Sequence, residues 1–174
     1  AFTVEGYGVD MGCFGAWAGK MAAGGPANFY QEGYFCDYPP AYMLVLWLFG
    51  LLGRLFGLST GSMAFQGWMK LAPIACDLAL AAVCFAFAKK KLGEGTALAV
   101  AALLALNPAF IVTSSCWGQI DSVLALLLVL MLLYAREGQW HIAIPIFALA
   151  VLAKPQAGLL APLGVAALLK ETRL

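Results

Sequence analysis

Asp10 in GVDMGCFGAW, Asp37 and Tyr38 in DYPPAY, Gln119 and Asp121 in WGQIDS, and Lys154 and Gln156 in KPQ are the residues of this chain best suited by type to do chemistry. Trp117 heads WGQIDS, and Lys70 and Asp77, in K-x6-D spacing, complete the set. The only histidine, His141, falls away from these stretches, and no Ser/His/Asp set can be assembled. Proton removal would therefore have to use a carboxylate. Five cysteines (Cys13, Cys36, Cys76, Cys84, Cys116) form neither a CxxC pair nor a His/Cys cluster, which supports neither a zinc site nor a full disulfide framework. Cys13 and Cys36 share a polar segment and could pair in an oxidising compartment; the alternative is five free, small apolar residues.

The elements that must position these groups are membrane elements. Of 174 residues, 63% are hydrophobic and 11% charged, and the mean hydropathy is +0.88. Soluble domains are about half apolar and about a quarter charged, so the composition implies an integral membrane protein. A net charge of +1 argues against a nucleic-acid partner. AFTVEGYGVD resembles neither a signal peptide nor an anchor helix, and the chain is expected to be a piece of a longer protein.

Residues 1–38 are mixed, and apolar stretches follow at roughly 41–56, 71–88, 96–113, 117–135, 140–153 and 157–169. A spanning helix needs about 20 residues, so the last two are short. Lysine and arginine collect on the cytoplasmic side, and Lys89-Lys90-Lys91 is the one dense cluster. With that cluster inside, 71–88 runs inward, 96–113 returns, and WGQID emerges outside. The next helix descends to Arg136, the following one rises to Lys154-Pro155-Gln156, and the last descends to Lys170 and Arg173. The stretch 41–56 follows Pro39-Pro40 and is interrupted by Gly50, Gly53 and Arg54. It is expected to lie at the interface, with Tyr42 and Trp47 at headgroup depth; a spanning reading would send residues 1–38 to the cytoplasm. The expected fold is all-α: residues 1–70 an outer-face loop with juxtamembrane helices, and 71–174 a polytopic transmembrane bundle of about five spans.

In this topology Asp10, Asp37, Asp121 and Lys154 share one face, and Asp77 lies about two turns into its helix from that face. Charges inside a membrane are costly and usually face a bundle interior or a wet cavity, so an outward-opening polar cavity is expected. Each residue also has a plainer explanation. Asp10, Asp37 and Asp121 could cap helices. Asp77 could pair with Lys70, and Lys154 could snorkel to headgroups. Trp117 and Gln119 could be interfacial residues, and Asn107-Pro108 a kink.

Taken in order, GVDMGCFGAW, FY, DYPPAY, K-x6-D, NP, WGQIDS and KPQ resemble the bacterial relatives of GPI mannosyltransferases. They are also similar to the glucosyltransferases of N-glycan precursor assembly; both groups belong to the GT-C superfamily of polyprenyl-phosphate-sugar-dependent glycosyltransferases. The match runs through nearly the whole chain, although WGQ stands where the eukaryotic enzymes have an HFQ-like motif. The resemblance implies a helix before Ala1, further helices after Leu174, and an active site facing outside a bacterial plasma membrane (or the lumen). It further implies an inverting transfer of a mannose- or glucose-type hexose from a polyprenyl-phosphate donor to a glycan, lipid or protein acceptor. Asp10 would be the base. Asp37, Tyr38, Lys70, Asp77, Trp117, Gln119, Asp121, Lys154 and Gln156 would line the donor and acceptor site, with Lys154 facing the leaving phosphate. No cofactor is certain, and oxygen ligands alone leave a divalent metal open. The rival expectation is a transporter or carrier with an outward-facing polar cavity.

Overall fold

The computed structural model describes residues 3–171, with side chains as far as residue 166. Arg173 and the side chain of Lys170, expected at the end of the last helix, lie outside the described residues. Among the described residues the chain forms helices and turns only.

Helix α1 spans Gly8–Gly24 and buries Met11, Phe14, Trp17, Ala18, Met21 and Ala22. These recur at three- and four-residue spacing, which places them on one helical stripe. Gly25, at φ +76°, and then Pro26 end the helix. Helix α2, Pro40–Leu55, starts on a proline, whose fixed φ suits the first helical position. Its buried stripe is Tyr42, Met43, Leu46, Gly50 and Gly53. The two helices touch backbone to backbone: a Cβ on Gly50 would stand 2.3 Å from the Ala18 carbonyl oxygen. The same packing encloses Tyr42. It is 2% exposed, inside the core formed with α1.

Helix α3, Met63–Met69, is capped by the Ser62 hydroxyl, which accepts from the Phe65 amide at 3.2 Å. It runs on through Lys70 into α4, Leu71–Leu92. Gly93, at φ +84°, turns the chain into α5, Glu94–Ala105, which packs along α4. The expected kink at Asn107-Pro108 is a break with a new cap. The Asn107 carboxamide accepts from the Ala109 amide at 2.9 Å and starts the short α6, Pro108–Phe110. That turn continues as a π-helix, Ile111–Trp117, closed by Gly118 at φ +92°. Helix α7, Asp121–Arg136, packs between α4 and α8, Trp140–Ala153. A 3-10 turn at Pro155–Leu160 leads into α9, Ala161–Glu171.

Two helical stretches, Met63–Leu92 and Glu94–Trp117, are long and apolar enough to cross a membrane. Only 22% and 6% of their most apolar windows are buried inside the protein. Leu98, Leu103 and Leu106 on the second stretch are each more than 60% exposed. Helices α2 and α8 are apolar but shorter. The Arg136 guanidinium at the end of α7 lies 5.2 Å above the Phe87 ring near the end of α4, so the basic ends of these helices are neighbours. Their starts meet at the opposite end, together with the start of α1.

Candidate functional site

At that end the N-terminal segment is tied down. The Tyr7 amide donates to the Trp117 carbonyl at 3.1 Å, the Gly6 amide to Gln66 Oε1 at 3.0 Å, and Lys70 Nζ to the Val4 carbonyl at 2.8 Å. Gly118 has to be glycine: its φ is left-handed, and a Cβ there would come within 2.3 Å of Met11 Sδ. This close approach brings the turn after the π-helix against the first turn of α1, which carries Asp10.

Asp10 Oδ2 accepts two hydrogen bonds, from Trp117 Nε1 at 2.7 Å and from Gln119 Nε2 at 2.6 Å. Oδ1 accepts none among the described residues. A carboxylate offers about four lone-pair sites, so Asp10 is oriented by its neighbours and keeps acceptor capacity for a further donor. Gln119 is used from both ends: its Oε1 accepts from the Tyr38 hydroxyl at 3.3 Å and from Lys154 Nζ at 3.4 Å. Lys154 also forms an ion pair with Asp121. Its side chain is 12% exposed, against 54% for Asp121. Asp10, Asp37, Tyr38, Gln119, Lys154, Pro155 and Gln156 line one open cavity of about 400 Å³.

Behind the cavity wall, Tyr38 packs against Phe14 and Trp17 with ring centroids 5.5 and 5.7 Å apart. Burial pushes the Tyr38 phenol above its ordinary range, and the charges of Asp10, Asp37 and Asp121 act in the same direction. The hydroxyl facing Gln119 therefore stays protonated and donates. Burial also raises Cys13 and Cys36, aided by the nearby Asp37. Both are free thiols, as are Cys76, Cys84 and Cys116.

The expected residues divide into two groups. Asp10, Asp37, Tyr38, Gln119, Lys154 and Gln156 line the cavity, Trp117 holds Asp10, and Asp121 holds Lys154. Lys70 and Asp77 are absent from its lining. Lys70 is fully buried and reaches Val4. Asp77 accepts from the Ser122 hydroxyl, which lies 2.6 Å from the Ser114 hydroxyl. The capping alternatives are not realised: the cap positions of α1, α2 and α7 are Tyr7, Pro39 and Ile120, none with a side-chain cap bond. Asp10 and Asp121 sit inside their first turns, where they complement the helix dipole.

Sequence reading missed Ser114, Ser122 and Gln66. Ser122 had one visible signal, a hydroxyl beside Asp121 at the head of an otherwise apolar helix. Among the described residues no group of three or more His, Cys, Asp or Glu side chains could hold a metal ion. No family model, curated protein or solved structure matches the chain.

Proposed function

We propose that the chain is part of a multi-pass membrane glycosyltransferase of the GT-C type. It moves a hexose from a polyprenyl-phosphate donor to an acceptor hydroxyl on the outer side of the membrane. The carrying observation is the pairing, in one cavity of about 400 Å³, of an oriented carboxylate, Asp10, with a cation, Lys154, through Gln119.

The apolar, little-buried stretches Met63–Leu92 and Glu94–Trp117 support a bilayer around the chain. The basic ends of α4 and α7 lie at the far end of those helices from the cavity, which by the positive-inside rule supports an outward opening. Asp10 takes the acceptor's O–H proton as that oxygen bonds to the anomeric carbon. The bond from that carbon to the phosphate oxygen breaks, and its electron pair leaves with the phosphate. Lys154 faces the charge that develops there. Attack opposite the leaving phosphate inverts the anomeric centre. Asp37 and Gln156 remain to accept or donate hydrogen bonds to sugar hydroxyls.

A carrier would need a polar path through the bundle. Asp77, the deepest acid, instead closes onto Ser122 and Ser114 behind the cavity, which favours the enzyme. The test is Asp10→Asn in the full-length protein, assayed for transfer from a polyprenyl-phosphate hexose. A positioned base typically supplies about 10²–10⁴-fold; transfer should fall by that factor with helicity unchanged. Undiminished transfer would remove Asp10 as the base.

A further inference from the structure

The last turns of α4 and α7 concentrate positive charge: Lys89, Lys90 and Lys91 on one, Arg136 on the other. Between them, with α5 as a third wall, runs a groove of about 530 Å³. Phe87, Val100, Val129 and Leu133 wall it, and Lys91 and Arg136 are the charged residues in its lining. Its size falls in the range of small-molecule sites, about 300–1,000 Å³. The nearby acids are engaged elsewhere. Glu94 pairs with Lys89 at 3.2 Å, and Glu137 accepts from Gln139 at 3.2 Å. Lys89 is thereby offset, and Lys91 and Arg136 set the charge of the groove. Stacking over Phe87 at 5.2 Å holds the Arg136 guanidinium against the wall. Its N–H fork remains suited to phosphate oxygens.

We propose that this groove binds one anionic phospholipid, with an acyl chain along the apolar walls and the phosphate between Lys91 and Arg136. Lysines at a helix end can simply reach the headgroup layer without a dedicated ligand. Here, however, two cations from different helices flank one apolar groove. A soluble phosphate would leave the walls unused, and a zwitterionic lipid would leave the two cations unbalanced. The site rests on the bilayer placement proposed above but not on sugar transfer, since it lies at the other end of α4 and α7 from Asp10.

The experiment is native mass spectrometry of the chain in neutral detergent. The probes are phosphatidylglycerol, phosphatidylcholine of the same acyl chains, and glycerol 3-phosphate. Each lysine or arginine near an anionic lipid favours binding by about fivefold. Phosphatidylglycerol should therefore be retained over phosphatidylcholine. K91Q and R136Q should each cut that preference by about fivefold, D10N should leave it intact, and glycerol 3-phosphate should not bind at the same concentration. Equal retention of the two lipids, an unchanged preference in both variants, or tight glycerol phosphate binding would each overturn the proposal. If circular dichroism shows that R136Q loses helicity, K91Q decides alone, because Lys91 is exposed. Retention of neither lipid would reject the groove alone, because a membrane protein in detergent need not hold a lipid. A failed D10N transfer assay with intact lipid preference would touch only the enzyme reading.

Discussion

The Gln119 side-chain amide donates to Asp10 Oδ2 at 2.6 Å, although the two residues are 109 positions apart in the chain. Its carbonyl end meets Tyr38 and Lys154. One planar group thus fixes the distance between a carboxylate and an ammonium. Gln119→Leu removes both ends at similar size. Misplacing a catalytic group by about 1 Å can cost about 10²-fold, so transfer should fall by tens- to a hundred-fold with the thermal midpoint in detergent nearly unchanged. Full transfer in this variant would mean that Trp117 alone suffices to orient Asp10.

Lys154 and Asp121 should behave differently despite being partners. Exposed ion pairs contribute about 0–1 kcal/mol, and Asp121 is 54% exposed, so neither substitution should shift the denaturation midpoint much. Lys154→Ala should raise KM for the lipid-phosphate donor at least tenfold, whereas Asp121→Asn should change it severalfold at most. Equal effects on donor KM would assign Lys154 a purely structural pairing.

Ser122→Ala should destabilise without directly touching the cavity. Its hydroxyl serves Asp77 and lies 2.6 Å from the buried Ser114 hydroxyl. Leaving buried polar groups unpaired costs about 1–3 kcal/mol. Chemical denaturation in detergent should register that loss. The double variant Ser122→Ala/Asp77→Asn should recover part of it, because the uncompensated charge is gone.

Gly118→Ala should be costly and Gly95→Ala should not. The first puts a side chain at φ +92° and within 2.3 Å of Met11 Sδ, whereas a Cβ on Gly95 meets nothing within 4 Å. Strained backbone of this kind costs about 1–3 kcal/mol, and the displaced Met11 adjoins Asp10. Thermal melts of the two variants should separate by several degrees, with transfer reduced only in Gly118→Ala.

The Tyr38 phenol should titrate above the ordinary value of about 10, because burial and three carboxylates oppose its ionisation. The folded chain then keeps a proton that the unfolded chain loses near pH 10. This contribution is complete below that pH and fades as pH rises through the folded value. An ultraviolet titration of the parent minus Tyr38→Phe isolates the step; a difference band appearing at or below pH 10 would contradict the assignment.

Helix positions were legible where punctuation and composition agreed. Pro39-Pro40 precedes an apolar run and a helix begins there, whereas Asn107-Pro108, read as a kink within 96–113, is a break between two helices. The grouping of Asp10, Asp37, Asp121 and Lys154 followed from charge placement alone, since alternating basic loops send those segments to one end. Pairings across helices were not legible. Lys70 and Asp77 were expected at the site, with their mutual pairing as the alternative, yet the ammonium reaches Val4 and the carboxylate reaches Ser122. Both choices depend on how α4 rotates against its neighbours, which one-dimensional spacing does not encode. The burial of Tyr42 was not legible for the same reason: it comes with the close seat of Gly50 on Ala18. The π-helical Ile111–Trp117 has no compositional mark, yet it aims Trp117 at Asp10.

Asp10 heads the same helical stripe that Phe14, Trp17 and Met21 anchor in the core. A carboxylate mounted this way cannot swing out to meet an incoming molecule. For the proposed transfer, an acceptor alcohol must adopt its reactive orientation by itself, and pacing falls to the opposite wall. There Lys154 and Gln156 sit on a proline turn with fewer anchors, so exchange of donor and spent lipid would be governed from that flank.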